Sequence, residues 1–265
     1  MAHPLDGVWL KVVRADEHLK AIRVAVAEFL GSNPYSARRE FDAKRREYVY
    51  YAQVHHRPTG IGVLVGDFAH NVRSAFDHIA WQLACLGAGP PDDRTQFPIY
   101  DKLSDWSIRR REIRSILPAA RDGYIESLQP YHGLTTIDDR PRYLLRLLRD
   151  LSNTDKHRSI LLIGSQVWPR GFEPMVTDGG EPWLLQWNPG PFDDGHPFAR
   201  IPATADGDEQ FKPEFVFDVS LGEKGPAYGT PLIDLLGDMH NCARWELMPE
   251  LAGFFPQPDN PFHRS

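Results

Sequence analysis

Seven residues between positions 67 and 78 concentrate groups that can do chemistry: Asp67, His70, Asn71, Arg73, Ser74, Asp77 and His78. Histidine, with an ordinary pKa of about 6.5, exchanges a proton near neutrality. Arginine offers a rigid fork of donors to phosphate oxygens, and aspartate serves as base or cation ligand. These residues share one face only if the segment is helical. At about 100° per residue, with His70 at 0°, Asp77 falls near 340°, Ser74 near 40°, Asp67 near 60°, His78 near 80° and Asn71 near 100°, with Arg73 at the edge near 300°. Phe68, Val72, Ala75, Phe76, Ile79 and Leu83 fill the opposite arc, so the pattern predicts an amphipathic helix from about Ile61 to Leu86. Two readings need no chemistry: a solvated helix face, or a polar network buried between helices. Ordinary solvated faces favour Lys, Glu and Gln. His, Asn, Ser and Asp are poorer helix formers, chosen more often for specific hydrogen bonds.

The spacing disfavours a metal site within this helix alone. His70 and His78 are eight residues apart, about 12 Å along the axis, too far to share one ion. Asp67 with His70, or Ser74 with His78, would need ligands from elsewhere, such as Asp155 or His157. No metal and no cofactor is therefore expected, although a metalloenzyme using His70, Asp77 and His157 from different helices stays open. The sequence contains no Walker-type loop, GxGxxG or GxSxG motif.

The stretch Arg73-Ser74-Ala75-Phe76-Asp77-His78 resembles the Rx4H motif of the HEPN superfamily. The wider strings Gly66 to His78 and Asn153-Thr154-Asp155-Lys156-His157-Arg158 also look like a group of bacterial proteins. The HEPN resemblance implies a helical bundle acting as a metal-independent endoribonuclease, toxin- or defence-related, with RNA as partner and a homodimer bringing two motifs together. Arg73 would then stabilise a phosphate and His78 would act as general acid and base. Asp67, His70, Asn71, Ser74, Asp77, Asp155 and His157 are supporting or ligand-binding candidates. Arg73 and His78 lie about 140° apart around the helix, so convergence requires arginine's reach, a helix end or a second subunit. The alternative is a noncatalytic module binding a nucleotide, nucleic acid or protein through the same face.

Around this helix the pattern predicts an α+β fold: about five helices, an N-terminal β-hairpin and a β-rich C-terminal segment closed by a long helix. Helical spacing runs from Gly7 to Leu30, with Asp6 placed to cap it and Gly31 and Pro34 ending it. Tyr35–Phe41 and Glu47–His56 read as a hairpin. Ser104 can cap a further helix, Pro118 can open another, and Asp139-Pro141 can start one with Leu144, Leu145, Leu147, Leu148 and Leu151 inward. Strands are expected at Ile160–Ile163, Trp183–Trp187, Phe198–Ile201 and Phe211–Val219. Thr230-Pro231 opens the closing helix, which should pack back on the N-terminal helices. The chain is divided as one helical domain over residues 1–255, with a β-rich insertion at about 159–229 and a mobile tail over 256–265.

Composition is ordinary for a globular protein, with 42% hydrophobic and 25% charged residues. Residues 1–160 carry 24 Lys and Arg against 20 Asp and Glu, and residues 161–265 carry 6 against 16. The first part can hold a polyanion that the second would repel. The basic stripes Arg109-Arg110-Arg111 with Arg114, and Arg140, Arg142, Arg146 and Arg149, either follow a phosphate backbone or pair with neighbouring acids. No secretory signal or membrane-length apolar run is evident. Cys85 and Cys242 are expected as buried thiols of a reducing cytoplasm.

Overall fold

The computed structural model describes residues 3–86, 91, 95–116, 119–133, 139–170, 186–188, 190–203, 214–255 and 261–263, with side chains at 111–116, 119–122, 166–170, 186–187, 214 and 263 left aside. The fold is α+β. It divides into two compact units, each assembled from separated stretches of chain.

The first unit comprises Met1–Ile22, Val63–Ile160 and Ile233–Ser265. Its helices are α1 (Asp6–Gly31, which runs on into the second unit), α2 (Ile61–Cys85), α3 (Leu103–Ile116), α4 (Ala119–Ser127), α5 (Arg140–Asp155), α6 (Leu232–Asn241) and α7 (Met248–Ala252). The apolar arc of α2 is fully used: Phe68, Ala75, Ile79 and Leu83 have no solvent exposure, and Val72 and Phe76 almost none. Burial of each large side chain contributes roughly 1.5–3 kcal/mol, which fixes the opposite face outward. On α5, Leu144, Leu145, Leu147, Leu148 and Leu151 are buried as the spacing predicts. The Asp6 carboxylate accepts the backbone N–H of His3 at 2.9 Å. Ser104 lies inside α3 rather than ahead of it, and its hydroxyl donates to Asp105 instead of capping the first turn.

The closing helix is interrupted. Between α6 and α7, residues Cys242–Leu247 wind as a π-helix. Pro249 has no N–H for the carbonyl of Trp245 four residues earlier, so a regular ladder cannot continue there. This region packs on α1: the Arg244 guanidinium lies 5.0 Å from the centre of the Trp9 ring, and Phe262 meets the same ring edge-on at 5.4 Å. Phe262 belongs to a 3₁₀ turn, Pro261–His263, within the stretch read from sequence as a tail. Residues 256–260 and 264–265 lie outside the described residues.

The second unit comprises Arg23–Gly62 and Leu161–Leu232. Strands β1 (Tyr35–Asp42) and β2 (Glu47–Val54) form the expected hairpin, followed by β3 (Leu162–Arg170), β4 (Gln186–Trp187), β5 (Pro197–Pro202) and β6 (Glu214–Leu221). The hairpin is not separate from the later strands. β2 pairs antiparallel with β5, giving a four-stranded sheet in the order β1-β2-β5-β4, while β3 and β6 form a second, two-stranded sheet. Aromatic rings fill this unit's core: Tyr35 meets Phe192 at 5.6 Å and Phe217 at 5.8 Å, and Tyr50 meets Phe215 at 5.1 Å. Gly164 makes this packing possible, since a Cβ there would come within 2.8 Å of Phe192 and 3.0 Å of Tyr35. Burial pushes the Tyr35 phenol up to about 12.

Among the described residues no helix is long and apolar enough to cross a membrane. Cys242 is buried, and burial pushes its thiol up to about 12. Cys85, expected inside, is exposed because it ends α2, beyond the last turn whose apolar arc is covered.

Candidate functional site

The polar face of α2 is divided between two clefts, and Asp77 stands at the division. Arg73 reaches four residues along the helix, with Nη2 2.9 Å from Asp77 Oδ1 and Nε donating to Oδ2 at 3.2 Å. Nη2 also donates to the carbonyl of Phe97 at 2.7 Å, while the Phe97 N–H donates to Asp77 Oδ1 at 2.9 Å. The pair thus satisfies both backbone groups of Phe97. The ring of Phe97 is fully buried and packs on Phe76, with ring centres 5.0 Å apart. Arg73 and Asp77 are therefore a clamp holding the segment 96–100 against α2.

A second clamp comes from Gln129, which the sequence reading passed over. Its fully buried amide donates to the carbonyls of Pro98 (3.0 Å) and Ile125 (2.9 Å), and its oxygen accepts the N–H of Tyr100 at 3.0 Å. A glutamine just after a helix carries no periodic signal, so only the tertiary structure reveals it.

The first cleft, about 200 Å³, lies between Arg73 of α2, the clamped segment from Gln96 to Tyr100, and the C-terminal half of α5 with the residue beyond it: Arg149, Ser152, Asn153 and Lys156. Among the described residues three cations line it and no carboxylate does. Burial opposes the charge on Arg149, but hydrogen bonds to Asp101 and Asp150 outweigh it and push its pKa up. Those bonds use Nε and Nη2 of Arg149, and the clamp uses Nε and Nη2 of Arg73. Both Nη1 groups remain without a partner among the described residues, as does the exposed ammonium of Lys156. The two guanidiniums are held in place with donors to spare.

The second cleft, about 360 Å³, is lined by Asp77, His78, Trp81, Gln82 and Thr95. His78 is exposed, and its Nδ1 lies 3.8 Å from where a Cβ on Gly7 would sit, so the ring rests against the first turn of α1. Arg73 and His78 accordingly border different clefts on one chain, as their angular separation on the helix implies.

The remaining predicted residues are dispersed. Asn71 spends its amide on the carbonyl of Asp67 one turn back, at 2.9 Å. Asp67 and His70 are exposed and Ser74 is half-buried, and none of the three lines either cleft. Asp155 packs onto the backbone of α2: a Cβ on Gly66 would lie 1.9 Å from its Oδ1. His157 is exposed beyond α5 and belongs to neither cleft. Among the described residues no three His, Cys, Asp or Glu side chains are grouped to hold a metal ion, and His70, Asp77 and His157 are not brought together.

The basic stripes resolve mostly into ion pairs. Arg140 pairs with Asp238 at 2.8 Å, Arg142 with Asp139, Arg146 with Asp101 at 3.6 Å, and Arg110 with Glu126 at 2.9 Å. Arg149 is the member that lines the cationic cleft. The side chains of Arg111 and Arg114 lie outside the described residues. Comparison with known protein families, characterised proteins and solved structures finds no match for this chain.

Proposed function

We propose that the protein is a binding module whose cleft between α2 and α5 takes the phosphate of a nucleotide or of an RNA strand. The observation that carries this reading is the lining: Arg73, Arg149 and Lys156, with Ser152 and Asn153 and, among the described residues, without a carboxylate. Carboxylates behind Arg73 and Arg149 fix each guanidinium, so little ordering entropy is lost when an anion arrives. Planar guanidiniums give directional contacts, and the exposed lysine adds a point charge. Its two free cysteines suit a reducing, cytoplasmic setting.

Calorimetric titration of the whole protein with tripolyphosphate, ATP and a short single-stranded oligoribonucleotide tests this. Binding should weaken with rising salt, and Lys156→Glu should cost at least about tenfold without lowering the melting temperature, since Lys156 is exposed. Wild-type protein that binds none of the three, or binds them equally well after Lys156→Glu, overturns the reading. Comparison of ATP with the oligoribonucleotide tells a mononucleotide site from a strand site.

A second reading is HEPN-like, metal-independent RNA cleavage by a homodimer, favoured by the spacing of Arg73 and His78 and by the exposure of His78. Because the two residues border separate clefts, this reading needs the Arg73 cleft of one copy and His78 of another. It requires RNA cleavage in EDTA that is lost in both Arg73→Lys and His78→Ala and restored on mixing the two variants. Cleavage that survives in both variants eliminates it.

A further inference from the structure

Resting on the phosphate-binding reading, we infer that the cleft formed by His78, Trp81, Gln82 and Thr95 is a nucleobase subsite, with the base stacked on Trp81 and its edge met by Gln82 and His78. Volume is the first support. About 360 Å³ falls in the range of small-molecule sites, roughly 300–1,000 Å³, and exceeds the 200 Å³ of the phosphate cleft. The lining is the second. Trp81 retains 37% of its surface exposed, whereas Phe68 and Phe76 on the same helix are at most 1% exposed. An indole that lines a cleft and keeps over a third of its surface exposed offers a stacking surface that accepts any base.

The polar groups around that ring are the third support. His78 precedes Trp81 by three residues and Gln82 by four, so helical geometry puts His78 between the other two on an arc of about 100° of α2. Neither the imidazole nor the Gln82 amide has a partner among the described residues. The amide offers a donor and an acceptor side by side, and the imidazole adds two ring nitrogens. That complement matches the alternating donors and acceptors on a base edge.

Connection to the phosphate cleft is the fourth. Asp77 links the two: it lines the Trp81 cleft, and it holds Arg73 and Phe97, which line the cationic one. Arg73 and Trp81 are eight residues apart, about 12 Å along the axis. A ligand lying along α2 therefore places phosphate and base in chemically matched clefts at once. A phosphate-only ligand fills one cleft and leaves the other empty.

Calorimetry separates the two subsites, with tripolyphosphate and ATP titrated into wild type, Trp81→Ala, Gln82→Ala and Lys156→Glu. Trp81→Ala should weaken ATP binding about tenfold and leave tripolyphosphate binding unchanged, while Lys156→Glu weakens both. Trp81→Phe, which keeps an aromatic face, should recover most of the ATP affinity. If ATP binding responds to Lys156→Glu but not to Trp81→Ala, the base subsite is wrong and the phosphate cleft stands. If both ligands lose affinity equally in Trp81→Ala while its melting temperature is unchanged, the tryptophan acts on the phosphate cleft and the inference fails. If tripolyphosphate does not bind wild type, the phosphate reading fails and this inference falls with it.

Discussion

The two flanks of Asp77 on α2 use similar residue types in opposite ways. On the Arg73 side, hydrogen bonds tie arginine, aspartate and the backbone of Phe97 into a closed clamp, and the arginine side chain is 14% exposed. On the His78 side, a histidine, a tryptophan and a glutamine face a larger cleft without partners for their polar atoms among the described residues. A polar face on a helix is therefore not one thing. Part of it closes on the protein's own backbone, and part keeps its polar groups unpartnered among the described residues.

The sharpest way to break this comparison is to remove one residue from each flank. Arg73→Ala strips an ion pair that is mostly buried and leaves the carbonyl of Phe97 without its donor. It should cost about 2–3 kcal/mol and lower the melting temperature by several degrees, whereas His78→Ala should change stability by less than about 0.5 kcal/mol. Equal losses in thermal denaturation would dissolve the distinction.

The contact between α2 and α5 gives a somewhat smaller effect. Gly66→Ala adds a methyl where the Asp155 carboxylate sits, and should cost about 1–2 kcal/mol as that side chain is displaced. Adding Asp155→Ala should reverse the loss, because alanine is the better helix former by up to about 1 kcal/mol. A double-mutant cycle with zero coupling would show that the two residues do not press on each other.

The thiols report on packing with no change in stability. Under native conditions one cysteine, Cys85 at the end of α2, should react with a maleimide, and Cys242 only after unfolding, since burial holds its thiol protonated to about pH 12. Modification of both in the native state would contradict the packing of the π-helical segment.

Smallest is the pH effect at Asp16 on α1. A hydrogen bond from Lys20 leads the causes that hold its pKa below the ordinary 3.8, and the Asp16 side chain is 28% exposed. A depressed carboxylate stabilises the fold above its unfolded pKa, and that contribution disappears as pH falls through the folded value. Asp16→Asn should thus cost a few tenths of a kcal/mol at pH 7 and nothing near pH 2. A loss that grows on acidification would reverse the sign.

Periodicity alone established the helices with one-sided apolar faces, because burying Phe76, Ile79 or the leucines of α5 leaves a helix one orientation. It likewise marked the polar face of α2 as the part of the chain richest in reactive groups. The π-helical break at Cys242–Leu247 was not legible, since it arises from the ladder around Pro249 rather than from hydrophobic spacing. Nor was the pairing of β2 with β5, which joins segments about 150 residues apart. Spacing on one helix could say that Arg73 and His78 diverge, but it could not say what each one meets. Only tertiary packing decided that Arg73 closes on Phe97, that Arg149 and Lys156 join it from another helix, and that Trp81 and Gln82 stay open beside His78. Side-chain partners are set by which distant surfaces the apolar arcs bring together, and that information lies in no single segment.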